Sequence, residues 1–128
     1  MKILIIDDDE VTLQAIEIKL KKDGFVHKVF TNVNDALNIL ESFHPDLIIT
    51  DILMPHTSGL ELIGMVRSHS LGRRIPIIVL SGIGQEKIVL EAFQLGADDF
   101  ITKPFNPSEL SLRIKKILNL QISNRVGR

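Results

Sequence analysis

Residues 3–9 read Ile3-Leu4-Ile5-Ile6-Asp7-Asp8-Asp9, four aliphatic residues followed at once by three acids. A short, continuous apolar run, as opposed to an alternating one, marks a strand buried on both faces, as in a parallel sheet. Four more runs come in order: Val26–Phe30, Leu47–Thr50, Ile75–Leu80 and Phe100–Thr102. Each run leads into a stretch with helical spacing. Residues 10–22 carry Leu13, Ile16 and Leu20, with Gly24 just past the end; 33–42 carry Ala36, Leu37 and Leu40. Residues 58–69 carry Leu60, Ile63 and Val66; 84–95 carry Ile88, Ala92 and Leu95, closed by Gly96. The fifth helix opens on Asn106-Pro107-Ser108-Glu109, with a capping Asn, a proline at the first helical position and an acid at the third. Leu110, Ile114 and Ile117 then face inward. Strict βα alternation predicts a parallel sheet with right-handed crossovers and helices on both faces.

A chain of 128 residues fits one domain, taken as residues 1–120, with 121–128 as a flexible tail or the start of a linker. Hydrophobic residues make up 45%, enough for a core, and the net charge is -1, which gives no basis for a nucleic-acid or anionic-membrane surface. Cysteine is absent, so thiol chemistry, disulfides and Cys-zinc sites are excluded. No apolar run approaches the ~20 residues that span a bilayer. Met1 and Lys2 lead directly into a short strand and then acids, unlike a secretory signal, so a cytoplasmic location is expected.

In open α/β sheets, ligands bind beyond the carboxyl ends of the strands. The first run ends in Asp7-Asp8-Asp9, the third in Asp51, the fourth in Ser81 and the fifth in Lys103, so all six fall on one edge. Two carboxylates at 4 Å repel by about 4 kcal/mol at an effective dielectric of 20. A proton or a cation relieves this, and hard oxygen donors suit Mg²⁺ or Mn²⁺. A carboxylate beside such a metal can attack phosphorus, with a lysine and a hydroxyl opposite to hold the phosphoryl oxygens.

Four segments together resemble the receiver domain of bacterial response regulators over about residues 2–119. They are Ile5-Ile6-Asp7-Asp8-Asp9; Asp46-Leu47-Ile48-Ile49-Thr50-Asp51-Ile52-Leu53-Met54-Pro55 with Gly59; Ile77-Ile78-Val79-Leu80-Ser81-Gly82; and Gly96-Ala97-Asp98-Asp99-Phe100-Ile101-Thr102-Lys103-Pro104-Phe105. The resemblance implies a flavodoxin-like, doubly wound five-stranded parallel sheet of order 2-1-3-4-5 with five helices. It implies Asp51 as phospho-acceptor, with Lys103 and Ser81 holding the phosphoryl group. Asp8, Asp51 and the backbone carbonyl of Leu53 would bind Mg²⁺ (or Mn²⁺), and Asp7 would act through water. Ser81 and Phe100 are the implied switch residues, and Lys103-Pro104 matches the family's cis bond.

The function implied is a phosphorylation-dependent signalling switch. A sensor histidine kinase, a phosphotransfer protein or a small phosphodonor supplies the group, and the face built from the fourth helix, fifth strand and fifth helix changes for a downstream effector. The chain is then no enzyme beyond its own phosphorylation and dephosphorylation. Asp99, Glu109 and Arg113 resemble the charged set of receivers that form homodimers through that face, although Val89 stands where a basic partner belongs. Leu53 and Ile83 occupy positions that are often polar in the family, which points to slow autodephosphorylation.

Each residue also has a plainer reading. Asp9 suits a helix cap, Asp51 a turn, Ser81 before Gly82 another turn, Lys103 a surface cation and Phe100 a core aromatic. His27, His44, His56 and His69 have no ligand spacing. Two other functions compete. Asp7-Asp8-Asp9-Glu10-Val11 also fits a Mg²⁺-dependent phosphatase of the haloacid dehalogenase type, with Asp7 as nucleophile and Asp9 as acid, but leaves Asp51 idle. A pseudo-receiver that binds partners without phosphorylation would not need the full pocket. A flavin protein on this fold would need a Ser/Thr/Gly-rich phosphate loop where the acids stand.

Overall fold

The computed structural model describes residues 1–53, 58–82 and 84–125, with side chains through 119. The elements in chain order are β1 (Lys2–Ile6), α1 (Glu10–Lys22), β2 (Val26–Phe30), α2 (Val33–Asn38), α3 (Leu40–Phe43), β3 (Leu47–Thr50), α4 (Gly59–Ser68), β4 (Ile77–Ser81), α5 (Glu86–Leu95), β5 (Asp99–Thr102) and α6 (Pro107–Arg125). All strands are parallel, in the order β2-β1-β3-β4-β5.

Because side chains alternate along a strand, each apolar run feeds two cores. Leu4, Ile6, Ile48, Ile77 and Val79 pack under α2 to α5, with Val33, Ala36, Leu40, Phe43, Leu62, Ile63, Val66 and Ala92. Ile3, Ile5, Leu47, Ile49, Ile78, Leu80 and Ile101 pack under α1 and α6, with Leu13, Ile16, Leu20, Leu110, Ile114 and Leu118. The unbroken Ile/Leu/Val runs are therefore needed on both faces at once.

The local chemistry sets the boundaries. Asp9 caps α1, Asn32 caps α2 and Ser58 caps α4, each accepting a backbone N–H of the first turn. Asn106 Oδ1 accepts from Ser108 N at 2.8 Å and opens α6 at Pro107. Gly24 (φ +84°) follows α1 and Gly96 (φ +118°) closes α5, the left-handed conformation that glycine takes without strain.

Four details depart from the sequence reading. The second helix is divided: Ile39 N bonds Ala36 O, a tighter turn than an α-helix makes, and the chain restarts as α3. The described residues thus form six helices, and the predicted fourth and fifth are α5 and α6. β4 begins at Ile77, not Ile75, because Ile75 N closes a turn onto Gly72 O and Pro76 has no N–H for the ladder. In α5 only Ala92 is buried; Leu95 is 37% exposed, since the sheet ends at β5 beneath this helix. The backbone of residues 121–125, expected to be irregular, continues α6, while 126–128 lie outside the described residues.

Candidate functional site

The strand register carries the site residues to one edge. Ile6 pairs with both Phe30 and Thr50, and Ser81 pairs with Thr102. One residue further, Asp7 N donates to Phe30 O (3.1 Å), Asp51 N to Ile6 O (3.0 Å) and Lys103 N to Ser81 O (2.8 Å). The ladder itself thus fixes the backbones of Asp7, Asp51 and Lys103.

Their side chains meet. Lys103 Nζ donates to Asp7 Oδ2 at 2.9 Å and to Asp51 Oδ2 at 3.0 Å. The remaining oxygens are also engaged: Asp7 Oδ1 accepts from Asp9 N (3.0 Å), and Asp51 Oδ1 from Ile52 N (2.6 Å) and Leu53 N (3.3 Å). Asp7 and Asp51 are buried, whereas Asp8 is exposed and its carboxylate has no hydrogen-bond partner among the described residues. Oxygens of Asp7, Asp8 and Asp51 lie within 4.8 Å of one another. One ammonium balances only one of these three carboxylates, so the cluster favours a further cation. An all-oxygen donor set with one exposed member, Asp8, suits a hard divalent ion such as Mg²⁺.

Burial pushes the Asp7 carboxyl above its ordinary range, helped by the Asp51 charge and opposed by Asp9 N–H and Lys103. Burial lowers the Lys103 ammonium, but hydrogen bonds and charge from Asp7 and Asp51 outweigh it and leave the group raised. The Thr12 hydroxyl holds Asp9 below its ordinary value.

The third acid has a different task from the first two. Asp9 caps α1, accepting from Val11 N (3.2 Å) and from the buried Thr12 hydroxyl (2.6 Å). A carboxylate so occupied is a poor general acid, which counts against the haloacid dehalogenase reading. The sequence reading overlooked Thr12, although a hydroxyl three residues after a capping acid was a usable signal. It also missed why Gly59 is a glycine: a Cβ there would run into the carbonyl of Asp51.

Ser81 is fully buried at the end of β4, and Phe100 is half-buried on β5, packed against the core beneath α5. Leu53 stands 60% exposed two residues beyond Asp51; Met54, Pro55 and Ile83 lie outside the described residues. The Lys103–Pro104 peptide bond is cis. Beside Lys103 a groove of about 400 Å³ opens between α1 and the β5–α6 loop, lined by Asp9, Val11, Thr12, Ala15, Pro104 and Phe105. On α6, Arg113 Nη1 donates to both oxygens of Asp99 (2.8 and 2.9 Å), and Nη2 to Glu109 (2.9 Å). No described helix is long and apolar enough to cross a membrane.

This doubly wound sheet, with acids from β1 and β3 facing a lysine from β5, defines a receiver-type α/β module. The chain belongs to the response regulator receiver domain family, whose model matches residues 3–115. It is 38% identical over 116 residues to the phosphate regulon transcriptional regulatory protein PhoB of Pseudomonas aeruginosa, covering 91% of this chain and 51% of that protein. It is 37% identical to an uncharacterised 14.6 kDa protein of Leptolyngbya boryana, covering 86% and 84%. The CheY-like receiver domain protein of Methanospirillum hungatei superposes with a TM-score of 0.89 at 28% identity, covering 96% of this chain and 97% of that one. The chain spans about half the length of the PhoB relatives it matches. As a response regulator receiver domain it is a module of two-component signalling.

Proposed function

We propose that this domain is a phosphorylation-controlled switch that accepts a phosphoryl group on Asp51. The observation that carries the reading is the convergence on one lysine of Asp51 from β3 and Asp7 from β1, with Asp8 open beside them. Mg²⁺ (or Mn²⁺), held by Asp8, Asp51 and the Leu53 carbonyl with Asp7 acting through water, would neutralise charge on the phosphoryl oxygens.

The chain's own residues supply the rest. Ile52 N–H and Leu53 N–H fix Asp51 Oδ1 and so orient the carboxylate. A carboxylate oxygen attacks phosphorus, and the bond to the donor, the P–N bond of a phosphohistidine, breaks with its electrons leaving on the ring nitrogen. Lys103 then shifts its hydrogen bond from the Asp51 carboxylate to a phosphoryl oxygen, and the Ser81 hydroxyl donates to another. The phosphoryl group carries a charge of about -2 where the carboxylate carried -1. Drawing Ser81 inward moves the loop into α5, Phe100 moves with it, and the face formed by α5, β5 and α6 changes for its partner. The groove beside Lys103 gives a sensor histidine kinase or phosphotransfer protein access. The α5–β5–α6 face, with Leu90, Phe93 and Leu112 exposed around the Asp99–Arg113 pair, is the candidate surface for the effector and for a homodimer.

Intact mass after incubation with acetyl phosphate tests the reading. One Mg²⁺-dependent phosphoryl adduct on wild type and none on Asp51→Ala is expected. No adduct from a small donor or a phosphorylated kinase would leave a partner-binding pseudo-receiver; hydrolysis of the donor without an adduct would leave a phosphatase.

A further inference from the structure

The two ends of α5 are held very differently. At its start, Gln85 makes no side-chain cap bond, and no residue before Ala92 is buried. Ile88 N and Val89 N share the Gln85 carbonyl, at 3.0 Å each, and their side chains are only half-buried. At its end, Gly96 N bonds Phe93 O, Ala97 N bonds Ala92 O, and Asp98 N joins the sheet edge at Ile77 O.

The end of α5 also receives a side chain from another helix. Arg67, in the last turn of α4, donates to the Gly96 carbonyl through both Nε (3.2 Å) and Nη2 (2.6 Å). Nη2 also reaches Asp98 Oδ2 (3.0 Å), and Nη1 reaches the carbonyls of Gly72 (2.9 Å) and Ile75 (2.6 Å). Asp98 Oδ2 in turn accepts from Ile77 N at 2.8 Å. One guanidinium therefore ties together α4, the loop into β4, the first residue of β4 and the corner between α5 and β5. Only arginine offers so many donors in a rigid plane.

Two features mark this as a built contact. The last turn of α5 has no basic residue of its own, so Arg67 supplies the positive charge that a helix carboxyl end favours. Gly96 is also required for more than its φ of +118°: a Cβ there would lie 2.7 Å from Arg67 Nε and 3.2 Å from its Cδ. A side chain at position 96 would thus push the guanidinium off the carbonyl.

We propose that Arg67 pins the carboxyl end of α5, so that the helix moves by pivoting about Gly96, with the travel at its Gln85 end. A pinned end converts a small pull on the Ser81 loop into a tilt of the exposed α5 face, while the β5 register stays fixed. The pivot rests on the proposed reading of Ser81 and α5 as the parts that respond to phosphorylation; the pin does not.

Hydrogen exchange on the full chain separates the two. In the resting protein, the amides of Gly96, Ala97 and Asp98 are expected to exchange about tenfold or more slowly than those of Ile88 and Val89. Arg67→Met is expected to erase that gap by accelerating the first three alone, and Arg67→Lys, which keeps the charge but not the fork, to recover only part of it. With acetyl phosphate and Mg²⁺, under which the adduct is confirmed by mass, exchange should change at Ile88 and Val89 and not at Gly96 to Asp98. Unchanged protection of Gly96 to Asp98 in both variants overturns the pin. Equal changes at both ends on phosphorylation overturn the pivot. A confirmed adduct with no change at either end overturns the pivot together with α5 as the moving part, and the resting comparison still decides the pin.

Discussion

Lys103 Nζ stands 3.0 Å from Asp51 Oδ2, closing a contact between residues 52 apart in the chain. The same nitrogen holds Asp7, so one lysine serves as counter-charge to two buried carboxylates. Its removal should separate two roles that usually fall together. Without the ammonium the cluster becomes more negative, so Lys103→Met should bind Mg²⁺ at least as tightly as wild type. Phosphoryl transfer, which loses a preplaced cation, should slow by about 10²-fold or more. Calorimetric Mg²⁺ titration and the rate of adduct formation check the pair; a matching loss of both would mean that the lysine supports only the fold.

Asp8 presents the opposite case. It is exposed, and no bond to its carboxylate exists among the described residues, so it contributes repulsion to the fold and, in the proposed function, would be a donor to the cation. Asp8→Asn should leave the metal-free protein equally stable or raise its stability by about 1 kcal/mol. It should also abolish most of the stabilisation that Mg²⁺ gives through mass action. Urea unfolding with and without Mg²⁺ measures both, monitored by circular dichroism because the chain has neither Trp nor Tyr.

Leu53, 60% exposed beyond Asp51, should slow hydrolysis of the acyl phosphate, because an aliphatic side chain offers no hydrogen bond to an incoming water. Leu53→Asn should shorten the adduct's lifetime several-fold without altering its rate of formation. An unchanged lifetime would remove Leu53 from the account.

The central strands β1, β3 and β4 were plain in the sequence, because a doubly buried parallel strand needs an unbroken apolar run, and the polar residues that end those runs fall on one edge of the sheet. Asp7, Asp51 and Lys103 were legible as strand ends, and the ladder brings them within hydrogen-bond reach of one another. The features that stayed hidden depend on partners distant in the chain. Arg67 reads as an ordinary charge closing a helix until Gly96, 29 residues on, is seen beneath it. Gly59 reads as a turn residue until the Asp51 carbonyl is found against it. The break at Ile39 has no local punctuation, since neither glycine nor proline stands there and the turn is marked only by the Ile39 N–H reaching back to Ala36 O three residues earlier.

A second distant pair, away from the Asp7–Asp51–Lys103 cluster, should set a pH dependence. Asp23, just past α1, accepts the hydroxyl of Ser111 of α6 at 2.5 Å, with Ser111 4% exposed. That hydrogen bond, with Lys115 and Lys19 nearby, holds the Asp23 carboxyl below its ordinary 3.8. A depressed carboxyl stabilises the fold above its unfolded value, and the contribution is lost as pH falls through the folded value. Ser111→Ala should therefore cost about 1–2 kcal/mol at neutral pH. The difference from wild type should persist down to about pH 4 and shrink below it. Lys115, whose side chain is 51% exposed and 3.7 Å from Asp23, should contribute less than about 1 kcal/mol when replaced by methionine. Unfolding free energies of the three proteins between neutral pH and about pH 3 decide it: a Ser111→Ala cost that does not diminish in acid would assign the effect to packing of α1 against α6, with the ionised carboxylate playing no part.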